Sequence, residues 1–248
     1  MPFSVTILGS SAMFQTLDRA ASGYLLEYEA ARIWIDAGGG TWRNLIDHMD
    51  HRELDGILLS HRHPDHTIDV FQAFHARHYG SAEPMDPIPL WAPQETLDGL
   101  ASYAPELDSS FDLQAIGSGD GFGFEGARFS FFEMAHPVDT VGVRFEHGDG
   151  SFAYSADTGP DGDLAGLAAG VDVFICEATF QDSDPEWHGH LRASQAGTVA
   201  AQANVGHLLL THLPSRRDLG LSVAEAHRNC EGIPVELASD GRRIEVGA

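Results

Sequence analysis

The run Ile57–His66, ILLSHRHPDH, places four potential ligands within six residues: His61, His63, Asp65 and His66. On an extended stretch, residues i and i+2 point the same way, so His61 and His63 can grip one ion together. Pro64 ends the strand. Asp65 and His66 then open a helix and turn toward a second position. Imidazole and carboxylate donors suit zinc, and equally manganese or iron. A polar surface turn could also hold histidines, but this one follows directly on a buried strand, GILLS.

Three later positions could complete such a site. RFSFFEMAHP carries His136, SFAYSADTG carries Asp157 and GHLLLTHLP carries His212. Each comes after an apolar strand, where a rigid scaffold presents its loops. Singly, each reads as packing or as a turn; their joint occurrence is the signal. RIWIDAGGG adds Asp36, which either orients a ligand imidazole or caps a helix over 41–49. Gly38–Gly40 let the backbone approach closely.

The elements that must position these residues are readable from hydrophobic patterning and glycine or proline punctuation. Strands are expected over 3–9, 22–29, 31–36, 55–60, 88–91, 111–116, 128–135, 140–146, 151–156, 171–176, 206–210, 233–238 and 242–246. Helices are expected over 41–49, 66–78, 94–103, 162–169, 193–204 and 222–229. The proline-rich stretch 84–93 and the glycine-rich stretch 117–126 look like surface loops. Antiparallel hairpins come first and strand–helix alternation dominates later, an α/β pattern of two sheets packed face to face with helices outside. No internal repeat is visible, and 248 residues fit one domain, 1–248.

Composition narrows the function. Against 37 acidic residues stand 14 basic ones, all arginine, for a formal net charge of −23. Such a surface repels polyanions, since nucleic-acid binders need a basic footprint. Bound cations would reverse the sign locally. No apolar run reaches the roughly 18–20 residues that span a bilayer, and no signal peptide precedes the first strand, so a cytoplasmic location is expected. Two cysteines, Cys176 and Cys230, cannot build a disulfide framework and read as packing.

The H-x-H-x-D-H motif with its later partners resembles the metallo-β-lactamase superfamily. That resemblance implies a four-layer αββα sandwich of two mixed β-sheets with helices on both outer faces. It further implies two divalent metal ions, zinc foremost. His61, His63 and His136 would hold the first, and Asp65, His66 and His212 the second, with Asp157 bridging. VDVFICEATF and GHLRASQAG resemble the ribonuclease Z branch, where a glutamate and a histidine assist the leaving group; mapped here, they are Glu177 and His190. The N-terminal ILGSSAMFQTLDRAASGYLL resembles that branch too, including Arg19 and Ser22. Arg19 reads equally as a phosphate contact or a surface ion pair.

One departure matters. Long-arm ribonuclease Z enzymes insert a transfer-RNA-gripping arm between the third histidine and the bridging aspartate. Here only twenty residues separate His136 from Asp157, enough for one hairpin. The family's Glu-Gly-Thr is also Gly-Gly-Thr here (Gly39–Thr41). The chain looks more like arm-less bacterial proteins that include actinobacterial cyclic-nucleotide phosphodiesterases, in SGYLL, DAGGG, LLSHxHxDH, AHP, AYSADTG, VDVFICEA, AGTVAAQA and LLLTHLP. The resemblance therefore implies a small phosphodiester substrate, a cyclic nucleotide foremost, with no large nucleic acid and no membrane partner. Homodimers are common in that branch.

Alternatives remain open on the same scaffold. One is hydrolysis of a carboxylic ester, thioester or lactone, in which His190 is dispensable. Others are arm-less transfer-RNA 3′ processing and non-catalytic ligand binding. His48, His51, His75, His78, His147, His207 and His227 read as solvated or packed. His188 could line the cleft, and Trp91 and Trp187 could contact a base ring, with packing the plainer reading.

Overall fold

The computed structural model describes residues 2–80, 85–185 and 187–247. Its first half opens as an antiparallel meander: β1 (Phe3–Gly9), β2 (Gly23–Tyr28) and β3 (Ala31–Ile35). Crossovers follow. α1 (Thr41–His48) leads to β4 (Gly56–Leu58), α2 (Pro64–Thr67) and α3 (Val70–Tyr79) to β5 (Ile88–Ala92), and α4 (Gln94–Tyr103) to β6 (Phe111–Ala115). The second half repeats this plan. An antiparallel run of β7 (Gly121–Phe124), β8 (Ala127–Glu133), β9 (Val141–His147) and β10 (Gly150–Tyr154) comes first. Then α5 (Leu164–Ala168) leads to β11 (Val173–Glu177), α6 (Ala193–Ala203) to β12 (His207–Thr211) and α7 (Leu219–His227) to β13 (Val235–Leu237). The last strand, β14 (Arg243–Val246), returns to pair antiparallel with β1.

Among the described residues, the result is two seven-stranded mixed sheets, ordered β14-β1-β2-β3-β4-β5-β6 and β13-β12-β11-β10-β9-β8-β7. In each sheet an antiparallel part meets a parallel part at one strand, β3 in the first and β10 in the second. The sheets face each other over an aromatic core that includes Tyr24, Tyr28, Phe129, Phe131, Phe145, Phe152 and Tyr154. Their outer faces are covered by helices, through Leu45, Val70, Phe74 and Leu97 on one side. On the other side Leu167, Ala196, Ala200 and Ala226 do this. The small side chains of α6 let α7 pack closely on it. This is the expected αββα sandwich.

Three details differ from the sequence reading. The stretch 117–126 is not wholly loop, because Gly121–Phe124 forms the edge strand β7. Phe122 stacks on Trp91 (4.8 Å) and Phe129 (5.0 Å), while Gly121 and Gly123 are exposed. Two glycines concealed the alternation. Within 84–93 the expected strand 88–91 forms as β5, and Pro84 itself lies outside the described residues. The expected helix 66–78 starts earlier, with Pro64 in its first turn, and divides in two near Asp69. There the Asp69 carboxylate accepts from the backbone N–H of Trp42 (2.9 Å), tying α3 to α1. Finally, α7 begins at Leu219 rather than 222, capped by the Asp218 carboxylate on the N–H of Leu221 (3.2 Å).

Candidate metal centre

The predicted ligands gather at the carboxyl ends of β4, β8, β10 and β12, the end at which open α/β sheets present their loops. Past β4 the chain runs through Leu59 and Ser60 to His61, which is fully buried. His63 stays extended (φ −63, ψ 143) as Pro64 starts α2 behind it. His61 Nε2 and His136 Nε2 each lie 3.1 Å from His63 Nδ1. Nitrogens about 2.0–2.1 Å from a tetrahedral ion would be spaced by about 3.3 Å, so these three rings already stand at ligand spacing.

Asp157 joins them to the other residues. Its Oδ2 lies 3.7 Å from His61 Nε2 and 3.9 Å from His136 Nε2. Its Oδ1 lies 3.3 Å from His66 Nε2 and 3.4 Å from His212 Nε2. Asp65 Oδ2 stands 3.3 Å from His212 Nε2 and 3.8 Å from His66 Nε2. The structure thus brings all seven residues together as two groups sharing Asp157: His61, His63, His136 and Asp157, and Asp65, His66, Asp157 and His212.

The far side of each ring shows which nitrogen is free. His136 Nδ1–H donates to the carbonyl of Gly189 (2.8 Å), and His66 Nδ1–H to Asp36 Oδ2 (2.7 Å). The Ser60 hydroxyl donates to Asp36 Oδ2, so at 3.0 Å it accepts from His61 Nδ1–H. The Thr179 hydroxyl donates to Glu177 Oε2, so at 2.9 Å it accepts from His212 Nδ1–H. All four rings therefore spend Nδ1 on an outer partner and turn Nε2 toward the cluster, as metal-ligating histidines held by outer partners do. His66 Nε2 and Asp157 Oδ1 are buried without a hydrogen-bond partner despite facing each other. Buried orphans of this kind call for an explanation, and a divalent cation between them supplies one. The donor set fits zinc, manganese or iron.

The electrostatics agree. Burial opposes charge on every group, yet the imidazoles of His212 and His66 hold the Asp157 carboxyl well below its ordinary range. His212 and His66 do the same for Asp65. Burial also opposes charge on His66, but Asp157 and Asp36 raise it well above the histidine range. On His61, burial and the neighbouring imidazoles win, and it is driven well below. A pocket this rich in carboxylate favours positive charge at its centre.

Asp36 takes the orienting role rather than the capping one: α1 is preceded by Gly40 with no side-chain cap. Three backbone turns into the site are left-handed, at Asp36 (φ 52), Ala156 (φ 52) and His212 (φ 54). Such turns cost on the order of 1 kcal/mol each outside glycine and cluster at functional sites. Gly38 belongs to the same corner. A Cβ there would meet the Asp65 carbonyl oxygen at 2.0 Å.

Glu177 and His190 stand together beside the cluster. Glu177 Oε1 accepts from His190 Nδ1–H (2.7 Å) and from the N–H of Thr158 (2.7 Å). The His190 ring centroid lies 5.2 Å from that of His212 and 5.3 Å from that of His136. Burial works against its charge, but the Glu177 carboxylate overrides this and raises it above the usual histidine value. Ser22 acts through its backbone, its N–H donating to the Asp65 carbonyl (3.2 Å). Arg19 lines a separate 230 Å³ cavity with Arg43 and Asp240.

Several functional contacts escape a reading of residue types. Ser60, Thr179 and Tyr154 orient ligands or their partners, and the N–H of Met13 donates to Asp65 Oδ2 (2.9 Å). Ser60 and Thr179 do adjoin His61 and Glu177, a signal within the motifs themselves. Met13 contributes only main chain and carries none. Of the remaining histidines, His147 is buried near Glu29 (3.6 Å), and His207 pairs with Glu236 (2.7 Å). Trp91 is core, while Trp187 is exposed at the cleft. Cys176 and Cys230 are both buried.

Comparison with known proteins places this geometry. The family model described as "Beta-lactamase superfamily domain" matches residues 31–213, a span containing every clustered residue. Protein Rv1339 of Mycobacterium tuberculosis is 36% identical over 257 residues, covering 98% of this chain and 92% of that protein. A ribonuclease Z of Nocardia farcinica is 30% identical over 298 residues, covering 97% and 96%. The crystal structure of the metallo-β-lactamase fold protein YhfI from Bacillus subtilis superposes with a TM-score of 0.91 at 25% identity, over 99% of this chain and 100% of that one. The chain therefore belongs to the beta-lactamase superfamily and is a metallo-hydrolase of the metallo-β-lactamase fold.

Proposed function

We propose that the protein is a dinuclear phosphodiesterase acting on a small nucleotide, a cyclic nucleotide foremost. His61, His63 and His136 would hold one metal, Asp65, His66 and His212 the other, and Asp157 would bridge them. Two divalent cations so placed supply Lewis acidity and an activated water.

The observation that carries this reading is the Glu177–His190 pair at the edge of the cluster. A phosphodiester leaves an alkoxide that needs a proton in the transition state. His190, whose charged form the Glu177 carboxylate favours, can donate it from Nε2. Glu177 is itself held by the N–H of Thr158 and the Thr179 hydroxyl, so the pair is preorganised. A thioester leaves as a thiolate and requires no such donor, whereas an alkyl ester leaves the same alkoxide, so the pair counts against the thioester alone. The short β9–β10 hairpin between His136 and Asp157 and the charge of −23 favour a small substrate over a large RNA. Because the superfamily relationship extends to a ribonuclease Z, a precursor transfer RNA belongs in the test.

The test is a panel of 3′,5′-cyclic AMP, bis-p-nitrophenyl phosphate, linear dinucleotides, thioesters and precursor transfer RNA, assayed on protein of measured metal content. Cleavage of the cyclic diester, abolished in Asp157→Ala, is expected. Metal-loaded protein that ignores every small phosphodiester offered sinks the reading. Thioesterase activity untouched by His190→Ala would replace it with the ester chemistry.

A further inference from the structure

Beside the metal centre lies a cavity of about 440 Å³ bordered by His136, Pro137, Asp161, Trp187 and Gly189. Its volume falls within the roughly 300–1,000 Å³ of small-ligand sites. The Trp187 indole is 46% exposed, a large apolar surface left in water at the mouth of the cleft. It is not loosely held. Its centroid lies 4.9 Å from that of His190, tilted by 49°, and 6.4 Å from that of His136. It also covers Gly189, where a Cβ would sit 2.4 Å from the indole. Only a residue without a side chain lets the ring lie there. The same Gly189 gives its carbonyl to His136. The indole is therefore fixed relative to both the cluster and the proposed proton donor.

The chemistry of the cavity excludes one class of occupant. No lysine or arginine lines it; its exposed titratable residues are Asp161 and His188, the histidine that the sequence places at the cleft. A phosphate would be repelled there and drawn instead to the cations of the cluster. What fits beside an indole and a carboxylate is a flat ring that stacks on the one and presents N–H donors to the other. We propose that this shelf is the nucleobase subsite of the enzyme, with Trp187 as the stacking platform that sets its preference for base-bearing diesters. The proposal rests on the phosphodiesterase reading above and names the part of the substrate that reading leaves open. Bases stack on aromatic side chains whatever their sequence identity, so the shelf selects a nucleotide over an aliphatic diester without choosing one base.

The experiment compares 3′,5′-cyclic AMP with base-free ribose 3,5-cyclic phosphate in metal-replete wild type, Trp187→Ala, Trp187→Phe and Phe14→Ala. Phe14 is the control, another exposed aromatic (58%) on the loop that touches Asp65 through Met13. In Trp187→Ala, KM for cyclic AMP is expected to rise roughly tenfold or more, the scale of one stacked base. Its kcat should stay within about threefold, KM for the base-free diester should be unchanged, and Trp187→Phe should recover most of the loss. An unchanged KM, an equal rise on both substrates, a fall confined to kcat, or the effect appearing in Phe14→Ala instead overturns it. If wild type cleaves no diester, the activity has failed, and the shelf is judged by calorimetry. AMP should then bind roughly tenfold tighter than ribose 5-phosphate, and that gap should vanish in Trp187→Ala. Equal binding in wild type overturns the subsite independently.

Discussion

Asp36 receives four donors: the N–H and hydroxyl of Ser60, the Tyr154 hydroxyl and His66 Nδ1–H. It touches no ligand atom that faces the cluster, yet it sets the orientation of His66 and, through Ser60, of His61. Asp36→Asn keeps the volume but replaces one acceptor oxygen with a donor, turned against donors. Metal affinity is expected to fall about 10–100-fold, the scale for such outer partners, as read by chelator competition. His190 differs, since it acts on the leaving group. Asn at 190 should lower kcat for cyclic AMP by roughly 10²–10⁴ while leaving metal content intact. The loss should be much smaller with a p-nitrophenolate leaving group, which departs without a proton. Equal losses on both substrates would assign His190 a different task.

At the scale of elements, the strand ends do the positioning. The two strands where each sheet changes from antiparallel to parallel, β3 and β10, are followed by the two central acids, Asp36 and Asp157. The Asp36 corner depends on Gly38, whose missing side chain admits the Asp65 and Ser22 carbonyls. Gly38→Ala should destabilise the fold by about 1–3 kcal/mol. It should also displace Asp65, so the thermal midpoint and the metal content fall together. The core between the sheets bears the load elsewhere. Phe129 is fully buried against Tyr28, Phe122 and Phe145. Phe129→Ala should cost about 3–5 kcal/mol in urea unfolding, with little change in metal affinity. That separates packing from site.

The whole molecule carries a formal charge of −23 and gathers Asp65, Asp157 and Glu177 around one cluster of histidines. Removing metal should destabilise it, because the cations bind only the folded arrangement. Metal held at about a thousand times its dissociation constant adds about 4 kcal/mol, so chelation should lower the melting temperature by several degrees. Added salt screens the remaining self-repulsion, and the chelated protein should regain stability in sodium chloride more than the loaded protein does. A melting curve indifferent to chelator contradicts a cation-filled cluster. Among the described residues no helix is long and apolar enough to cross a membrane.

Much of this was legible in the chain itself. Local covalent spacing puts His61, His63, Asp65 and His66 within one turn of each other whatever the rest does, and β-branched and aromatic alternation marked most strands. Glu177 and His190 were legible only through their motifs' resemblance to a family. What the sequence could not decide depends on residues far apart in the chain. Asp36 chose between cap and anchor only when β3 and β4 paired and brought Ser60 and His66 to it. Two tryptophans of equal promise parted once the sheets closed, Trp91 going under Phe122 and Trp187 onto the rim of the cleft. The strand β7 hid behind two glycines until Phe122 and Phe124 met the opposite sheet. The repeated sheet plan left no trace in residue identity, because strand order is set by which apolar faces can be buried together, and many side chains serve that end equally well.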